Sequence, residues 1–353
     1  MKILCIGDPH FRVDNIEETK IFTTNLSKYL DENEVDIVIV MGDVLHTHEK
    51  IHTFALNAAF DFFKMLSSKN KPIYCLVGNH DATSNTIFLT NNHWMNVLKG
   101  WTNINIVDFP IKVLIGKHDI VLCPYVPDGR FVEALNHVED WRESICVFGH
   151  QLIDGAKMGM IVAKDVEKWK EEYPMLVSGH IHDKQWIGKN VYYTGSSLQH
   201  SFGEGGDKSL AIIDINEDAQ IDIEEIYLEI KKKKIIYADI SELDEIKEKL
   251  KDDIEYKIVL SGNETDFKTL KHSQLFKDTI NMDNIKDIKF KTKIKKEEIE
   301  DENSSESSRI AEDDFVECLS LLIQKENNPY LTSLYEHIIY GKEDLSDKDI
   351  FFT

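Results

Sequence analysis

Asp8, His10, Asp43, Asn79, His150, His180 and His182 are side chains that could hold metal ions through oxygen or imidazole nitrogen, and they follow short apolar runs. Ile3-Leu4-Cys5-Ile6-Gly7 leads into Asp8-Pro9-His10, and Ile37-Val38-Ile39-Val40-Met41-Gly42 into Asp43. Ile73-Tyr74-Cys75-Leu76-Val77-Gly78 leads into Asn79-His80-Asp81, Ile145-Cys146-Val147-Phe148-Gly149 into His150, and Leu176-Val177-Ser178-Gly179 into His180-Ile181-His182. One catalytic zinc takes about three protein ligands plus water. This larger set therefore points to two ions. A carboxylate such as Asp43 can bridge cations about 3.5–4 Å apart, the spacing of two-metal phosphoryl chemistry. With no thiolate among them, the ligands suit two divalent ions, Mn²⁺ first, with Mg²⁺, Fe²⁺ or Zn²⁺ as alternatives. Such ions bring the pKa of bound water from about 15.7 towards roughly 7, so hydroxide is available at neutral pH. Phosphorus is the expected electrophile, because the same cations neutralise its equatorial oxygens. His80 is expected to protonate the leaving alkoxide, with Asp81 orienting its ring. Taken singly, each motif is commonplace, and one histidine after a strand is ordinarily a solvated loop residue. Five such strand exits in order are not.

The apolar runs read as strands buried on both faces. A residue just past such a strand sits on the sheet rim, where glycine lets backbone and ligand approach closely. Between the strands, the stretch 17–30 places Ile21, Phe22, Leu26, Tyr29 and Leu30 on one helical stripe. After Thr53, a candidate N-cap, Ala55, Ala58, Ala59, Phe62, Phe63 and Leu66 repeat at helical spacing. The later strands at 111–116, 120–124 and 210–215 look antiparallel or mixed. The order implies an α/β fold, a two-sheet α/β/β/α sandwich rather than an open doubly wound sheet.

The series Asp8-x-His10, Gly42-Asp43-x-x-His46, Gly78-Asn79-His80-Asp81, Gly149-His150 and Gly179-His180-x-His182 resembles the calcineurin-like metallophosphoesterases. Within them the chain looks like the SbcD-type nucleases of DNA double-strand-break repair, including phage recombination nuclease subunits. The stretch from Tyr192 through Gly195-Ser196-Ser197 to Ser201-Phe202-Gly203-Glu204 is similar to a signature of that branch. The resemblance implies a four-layer metallophosphoesterase sandwich with a small α+β capping domain and C-terminal helices. It places one ion on Asp8, His10, Asp43 and His182, and the other on Asp43, Asn79, His150 and His180. It makes His80 act on the leaving group and His46 contact the substrate strand. The implied activity is exo- and endonucleolytic cleavage of DNA. The implied partner is an SbcC-type SMC-like ATPase, in a heterotetramer built on a nuclease homodimer. Pro9 departs from the polar or aromatic residue common there, but it removes no ligand.

The chain has 353 residues and a formal net charge of -22, an awkward balance for an enzyme of DNA. The ions, a basic partner or a local patch would have to supply positive potential. Cys5, Cys75 and Cys146 lie inside apolar runs and read as buried small hydrophobes rather than a disulfide framework. The sequence starts directly into a strand and holds no apolar span of about 18 residues, so a cytoplasmic protein without membrane contact is expected; the resemblance implies a bacterial or phage-infected cell.

Residues 1–230 are expected to form the nuclease domain and 231–296 the cap, in β-α-β-α-β order. In the cap's last strand Lys289, Lys291, Lys293 and Lys295 alternate with Ile288, Phe290, Thr292 and Ile294. This is either an ordinary solvated face or a contact for DNA backbone or a partner. Residues 297–309 are acidic and serine-rich and read as a linker. Residues 310–353 read as two amphipathic helices, with Phe315, Val316, Leu319, Leu322 and Ile323 on one stripe. Leu331, Leu334, Tyr335, Ile338 and Ile339 form the other, behind Asn328-Pro329 as cap and first position. Such helices could fold back on the main domain or dock on another protein; the resemblance implies docking on the ATPase. Two alternatives share parts of this pattern: a small-molecule or cyclic-nucleotide phosphodiesterase, and a DNA-end tether or adaptor with incidental nuclease activity. A phosphoprotein phosphatase fits less well, because Gly42-Asp43-Val44-Leu45-His46 departs from the Gly-Asp-x-Val-Asp-Arg-Gly pattern of that branch.

Overall fold

The computed structural model describes residues 1–47, 50–292 and 323. The chain divides into two units, Met1–Lys293 and Ile294–Thr353. Apart from Ile323, a helical residue, the C-terminal stripes and the linker lie outside the described residues, as do Lys293 and Lys295.

The first unit is built on two six-stranded sheets. One contains β1 (Lys2–Ile6), β2 (Ile37–Val40), β3 (Ile73–Leu76), β4 (Ile104–Val107), β13 (Leu210–Ile215) and β14 (Ile221–Ile226), in the order β14-β13-β1-β2-β3-β4. The other contains β5 (Ile111–Ile115), β6 (His118–Leu122), β7 (Cys146–Gly149), β10 (Met175–Ser178), β11 (Gln185–Ile187) and β12 (Val191–Tyr193), in the order β11-β12-β10-β7-β6-β5. A small ribbon, β8 (Lys157–Met158) with β9 (Ile161–Val162), interrupts the connection from β7 to β10. The central strands β1 to β4, and β6, β7, β10 and β12, run parallel. β13, β14, β5 and β11 join the edges antiparallel, the mixed pairing expected for the later strands.

Strand alternation explains the layers. Ile3 and Cys5 of β1 and Ile37 and Ile39 of β2 point inward, where they meet Ile120, Leu122, Cys146 and Phe148 of the facing sheet. Leu4, Ile6, Val38 and Val40 point outward onto α1 (Ile16–Glu32) and α2 (Thr53–Ser68), through Phe22, Leu26, Ala59, Phe62 and Phe63. The outer face of the second sheet is covered by a thinner layer, α3 (Phe131–Leu135) and loops carrying Trp141 and Trp169. This is the α/β/β/α sandwich. Two details differ from expectation. Ile21 is exposed, outside the buried stripe. His52 caps α2 in place of Thr53, its Nδ1 accepting the Phe54 backbone N–H at 3.3 Å.

Beyond β14 lies a separate three-stranded parallel sheet of β15 (Lys232–Asp239), β16 (Ile254–Gly262) and β17 (Ile285–Thr292). α4 (Leu243–Lys249) joins its first two strands; α5 (Glu264–His272) and α6 (Gln274–Ile280) join the last two. Where the β-α-β-α-β order calls for one helix, the chain breaks at Ser273, whose hydroxyl accepts the Phe276 N–H and starts α6. On β17, Ile288 is buried and Phe290 half-buried, while Lys289 and Lys291 are exposed. Cys5, Cys75, Cys123 and Cys146 are buried free thiols. Among the described residues no helix is long and apolar enough to cross a membrane.

Candidate metal centre

The exits of β1, β2 and β3 in one sheet meet those of β7 and β10 in the other, so the candidate ligands gather on one rim. Backbone hydrogen bonds zip these loops together. His10 N–H donates to Asp43 O at 3.1 Å, Phe11 N–H to Val44 O at 2.7 Å, and Gly179 N–H to Gly149 O at 3.0 Å. The Gly-Ser signature docks on the same rim, with Ser197 N–H donating to Gly7 O at 2.7 Å. Asp8, His10, Asp43 and His180 adopt left-handed φ angles of 35°, 43°, 49° and 79°. Such conformations are strained for residues with a Cβ and persist where the surroundings over-determine them.

Crowding at the rim explains the glycines. A Cβ on Gly78 would stand 2.2 Å from Asp43 Oδ1 and 2.4 Å from its backbone nitrogen. Gly42, at φ 105°, would place a Cβ 2.7 Å from His150 Nδ1.

All seven candidate ligands converge. Asp8, His10 and Asp43 form one cluster, and Asp43, His150 and His180 another, with Asp43 common to both. His182 joins the first, its Nε2 lying 3.1 Å from His10 Nε2. Asn79 joins the second, its Oδ1 3.0 Å from both His150 Nε2 and His180 Nδ1. Backbone amides aim the carboxylates: His180 N–H donates to Asp8 Oδ1 at 2.9 Å, and His80 N–H to Asp43 Oδ1 at 2.8 Å.

The donor set fits metal ions. His150 Nδ1–H donates to Met41 O at 2.7 Å, so the neutral ring turns a lone pair on Nε2 towards Asn79 Oδ1 and, at 3.3 Å, Asp43 Oδ1. Acceptors facing acceptors are reconciled by a metal ion or a proton between them. Asp8 Oδ2 and His10 Nδ1 are buried and have no hydrogen-bond partner among the described residues. Protonation equilibria of the protein alone tell the same story. Burial opposes charge on His150, yet Asp43 and Asp8 raise it to about 9, a proton taking the place a metal would fill. Burial also works against ionising Asp43, but His150, then His10 and His80, hold it far below the usual carboxylate range. His180, desolvated and beside His150, falls to about 3. Asp8 rises to about 6, chiefly through burial.

His80 and His46 border the cluster. Their rings stack at 5.7 Å and 13°, and both meet the His10 ring edge-on, at 4.9 and 5.2 Å. His80 Nδ1 is anchored on His46 O at 2.5 Å, leaving Nε2 towards the centre, 4.0 Å from Asp43 Oδ2. From the sequence, Asp81 is expected to orient that ring. Its carboxylate instead accepts from the backbone of Gly78, Val44 and Leu45 and from Trp94 Nε1, at 3.0–3.2 Å for the closest contacts. It pins the β2 and β3 exit loops together. Burial and Asp43 raise it to about 7, with Trp94, Leu45 and Gly78 pulling the other way.

Three neighbours carried no decisive sequence signal. His200 Nε2–H donates to Asp8 O at 2.8 Å, and burial beside His182 lowers its ring to about 3. Tyr125 lies against His180 and His150, with centroids 5.8 and 6.2 Å away. Glu204, from the Ser-Phe-Gly-Glu stretch, meets His182 Nδ1 at 3.4 Å. The stretch marked His200 and Glu204 as part of a signature without giving them a task; Tyr125 had no marker.

Comparison with known proteins agrees with this geometry. A model of the calcineurin-like phosphoesterase family matches residues 1–184. A protein of Invertebrate iridescent virus 6, provisionally named phosphoesterase 244L, is 40% identical over 78% of this chain and 98% of its own length. A protein of Invertebrate iridescent virus 3, provisionally named phosphoesterase 078R, is 39% identical over 78% of this chain and 81% of its own. Among solved structures, a protein of unknown function from Aquifex aeolicus aligns over 43% of this chain and 80% of its own, at 19% identity and a TM-score of 0.28, too distant to bear on the fold.

Proposed function

The chain belongs to the calcineurin-like phosphoesterases, and from that premise we propose that it is an SbcD-type nuclease, a dinuclear-metal phosphodiesterase that cleaves DNA in double-strand-break processing and recombination. The observation that carries the reading is a cleft of about 800 Å³ beside the ligand cluster. It runs from Arg12 and His200 on the sandwich to Lys233, Lys257 and Lys286 on the three-stranded sheet, so a strand lying in it would meet both parts of the chain. Its cations are matched by acids: Arg12 by Asp14 at 2.7 Å, Lys233 by Glu18 at 2.6 Å and Lys286 by Glu255 at 2.9 Å. Attraction for phosphate therefore rests heavily on the metal centre.

In this reading Asp8, His10, Asp43 and His182 would hold one ion, and Asp43, Asn79, His150 and His180 the other. When bound, the ions, Mn²⁺ by preference, supply positive charge at the phosphate oxygens and lower the pKa of water. His80 is the acid. Its Nδ1–H is fixed on the His46 carbonyl, so the protonated ring offers Nε2–H to the departing alkoxide. His46, parallel to His80, presents a flat face to the substrate strand. Residues 231–296 act as a cap on the nuclease domain 1–230. Residues 310–353, beyond the linker 297–309, dock on an SbcC-type ATPase in an assembly built on a homodimer, acting in a bacterial or phage-infected cell.

The deciding experiment presents the Mn²⁺-loaded protein with end-labelled linear duplex, cyclic nucleotides and bis(p-nitrophenyl) phosphate, each with a chelator control. Chelator-sensitive shortening of the duplex supports the proposal. Hydrolysis of the small esters with intact DNA replaces it by the small-molecule reading. Metal-site variants that keep ATPase binding but lose DNA processing exclude a mere adaptor.

A further inference from the structure

Glu204 has no task in the chemistry above, yet both of its carboxylate oxygens are engaged beside the centre. Its Oε1 accepts from His182 Nδ1 at 3.4 Å. Its Oε2 accepts the His200 backbone N–H at 3.0 Å and pairs with Lys208 Nζ at 3.1 Å. Lys208 Nζ also donates to His182 O at 2.8 Å, so one ammonium ties the carboxylate to the main chain of the histidine it serves. Glu204 and Lys208 are both well shielded, with side chains 17% and 11% exposed. This is therefore a built arrangement, not a pair of solvated side chains meeting by chance.

The consequence lies on the far side of the ring. With the Nδ1 proton directed at Glu204, His182 turns its Nε2 lone pair to the centre, beside His10 Nε2. His150 achieves the same orientation with a backbone carbonyl, Met41 O. Among the described residues, His182 is the ligand candidate whose outward nitrogen hydrogen-bonds a carboxylate. A carboxylate there fixes the tautomer and makes the opposite nitrogen a stronger donor to metal.

We infer that Glu204 is a positioning residue: it locks His182 with Nε2 towards the ion shared with Asp8 and His10, and so sets the affinity of that site and not of its neighbour. The inference rests on the dinuclear reading above. Its reach is asymmetric, because Glu204 touches His182 and the loop at His200 but none of Asn79, His150 or His180.

The test strips the full-length protein with chelator and titrates it with Mn²⁺, counting free ion by electron paramagnetic resonance. Glu204→Ala, Glu204→Gln and the unaltered chain are compared, with thermal melting of each apoprotein alongside. Glu204→Ala is expected to weaken one of two ions by about 10–100-fold and leave the other unchanged. Glu204→Gln, whose amide oxygen still accepts from Nδ1–H, is expected to recover most of that loss. Two ions bound with unaltered affinity in Glu204→Ala overturn the inference. So does equal weakening of both ions, or an equal loss in both variants with lowered melting, since these mark a merely structural loop contact. An unaltered chain that binds fewer than two ions overturns the dinuclear reading itself, a separate outcome.

Discussion

Asp43 is the residue on which the two halves of the centre depend. Its carboxylate lies 3.6 Å from His10 Nε2 and 3.3 Å from His150 Nε2, and the His80 backbone amide aims one oxygen. Asp43→Ala is therefore expected to release both ions and abolish hydrolysis, as metal analysis and turnover would show. Retention of two tightly held ions with full activity would remove the bridging role. His80 is different, since no ligand atom is lost with it. His80→Asn should retain both ions and lose about 10²–10⁴-fold in turnover on DNA. The loss should shrink on bis(p-nitrophenyl) phosphate, whose p-nitrophenolate needs little protonation. An equal deficit on both substrates argues for phosphate positioning instead. The convergence of the candidate ligands was legible in the sequence because metal-binding residues are restricted by type and place: oxygen or imidazole, at the end of a strand. Asp81 reads as a partner for His80 from adjacency along the chain. In space its carboxylate accepts from three backbone amides and the Trp94 indole.

The elements that carry the ligands explain both what the sequence disclosed and what it withheld. Runs of Ile, Val, Leu and Cys gave β1, β2, β3, β7 and β10, since a strand buried on both faces needs apolar side chains at every position. The thin outer layer around Trp141 and Trp169 has no comparable periodicity, being mostly loop, and left no pattern to read. The break between α5 and α6 was hidden because Ser273 sits inside a stretch that is helical in composition. Two substitutions test the loop scaffold. Gly78→Ala is expected to displace Asp43, since its Cβ would overlap both the carboxylate and the backbone nitrogen of that residue; metal content should fall towards that of Asp43→Ala. Asp81→Ala strands several buried N–H groups at once, each costing about 1–3 kcal/mol. Urea unfolding should show a loss of about 3 kcal/mol or more. Unchanged stability with impaired turnover would instead restore Asp81 to the catalytic role the sequence suggested.

For the whole molecule, the sandwich and its rim were readable because one physical rule, apolar strand followed by polar exit, repeats across both sheets. The docking role proposed for residues 310–353 rests on the sequence pattern, and the division of the chain into Met1–Lys293 and Ile294–Thr353 makes a direct test possible. Deleting residues 304–353 should leave the phosphoesterase unit folded, because its cores close on residues before 293: Ile288 and Ile285 of β17 pack with Leu243, Ile258 and Leu260. The melting temperature and hydrolysis of bis(p-nitrophenyl) phosphate should be those of the full chain. Binding to an SbcC-type ATPase should be lost. Phe315, Leu319, Leu322, Leu334, Tyr335 and Ile338 recur in the sequence at helical spacing, and such stripes would call for an apolar groove to cover them. Leu319→Asp with Leu334→Asp should mimic the deletion, since burying each carboxylate costs on the order of several kcal/mol. ATP-dependent action on duplex ends should fall in both variants, while small-ester hydrolysis persists. If the truncated chain unfolds, these residues belong to the phosphoesterase core. If calorimetry finds undiminished affinity for the ATPase after both substitutions, the docking surface lies elsewhere on the chain.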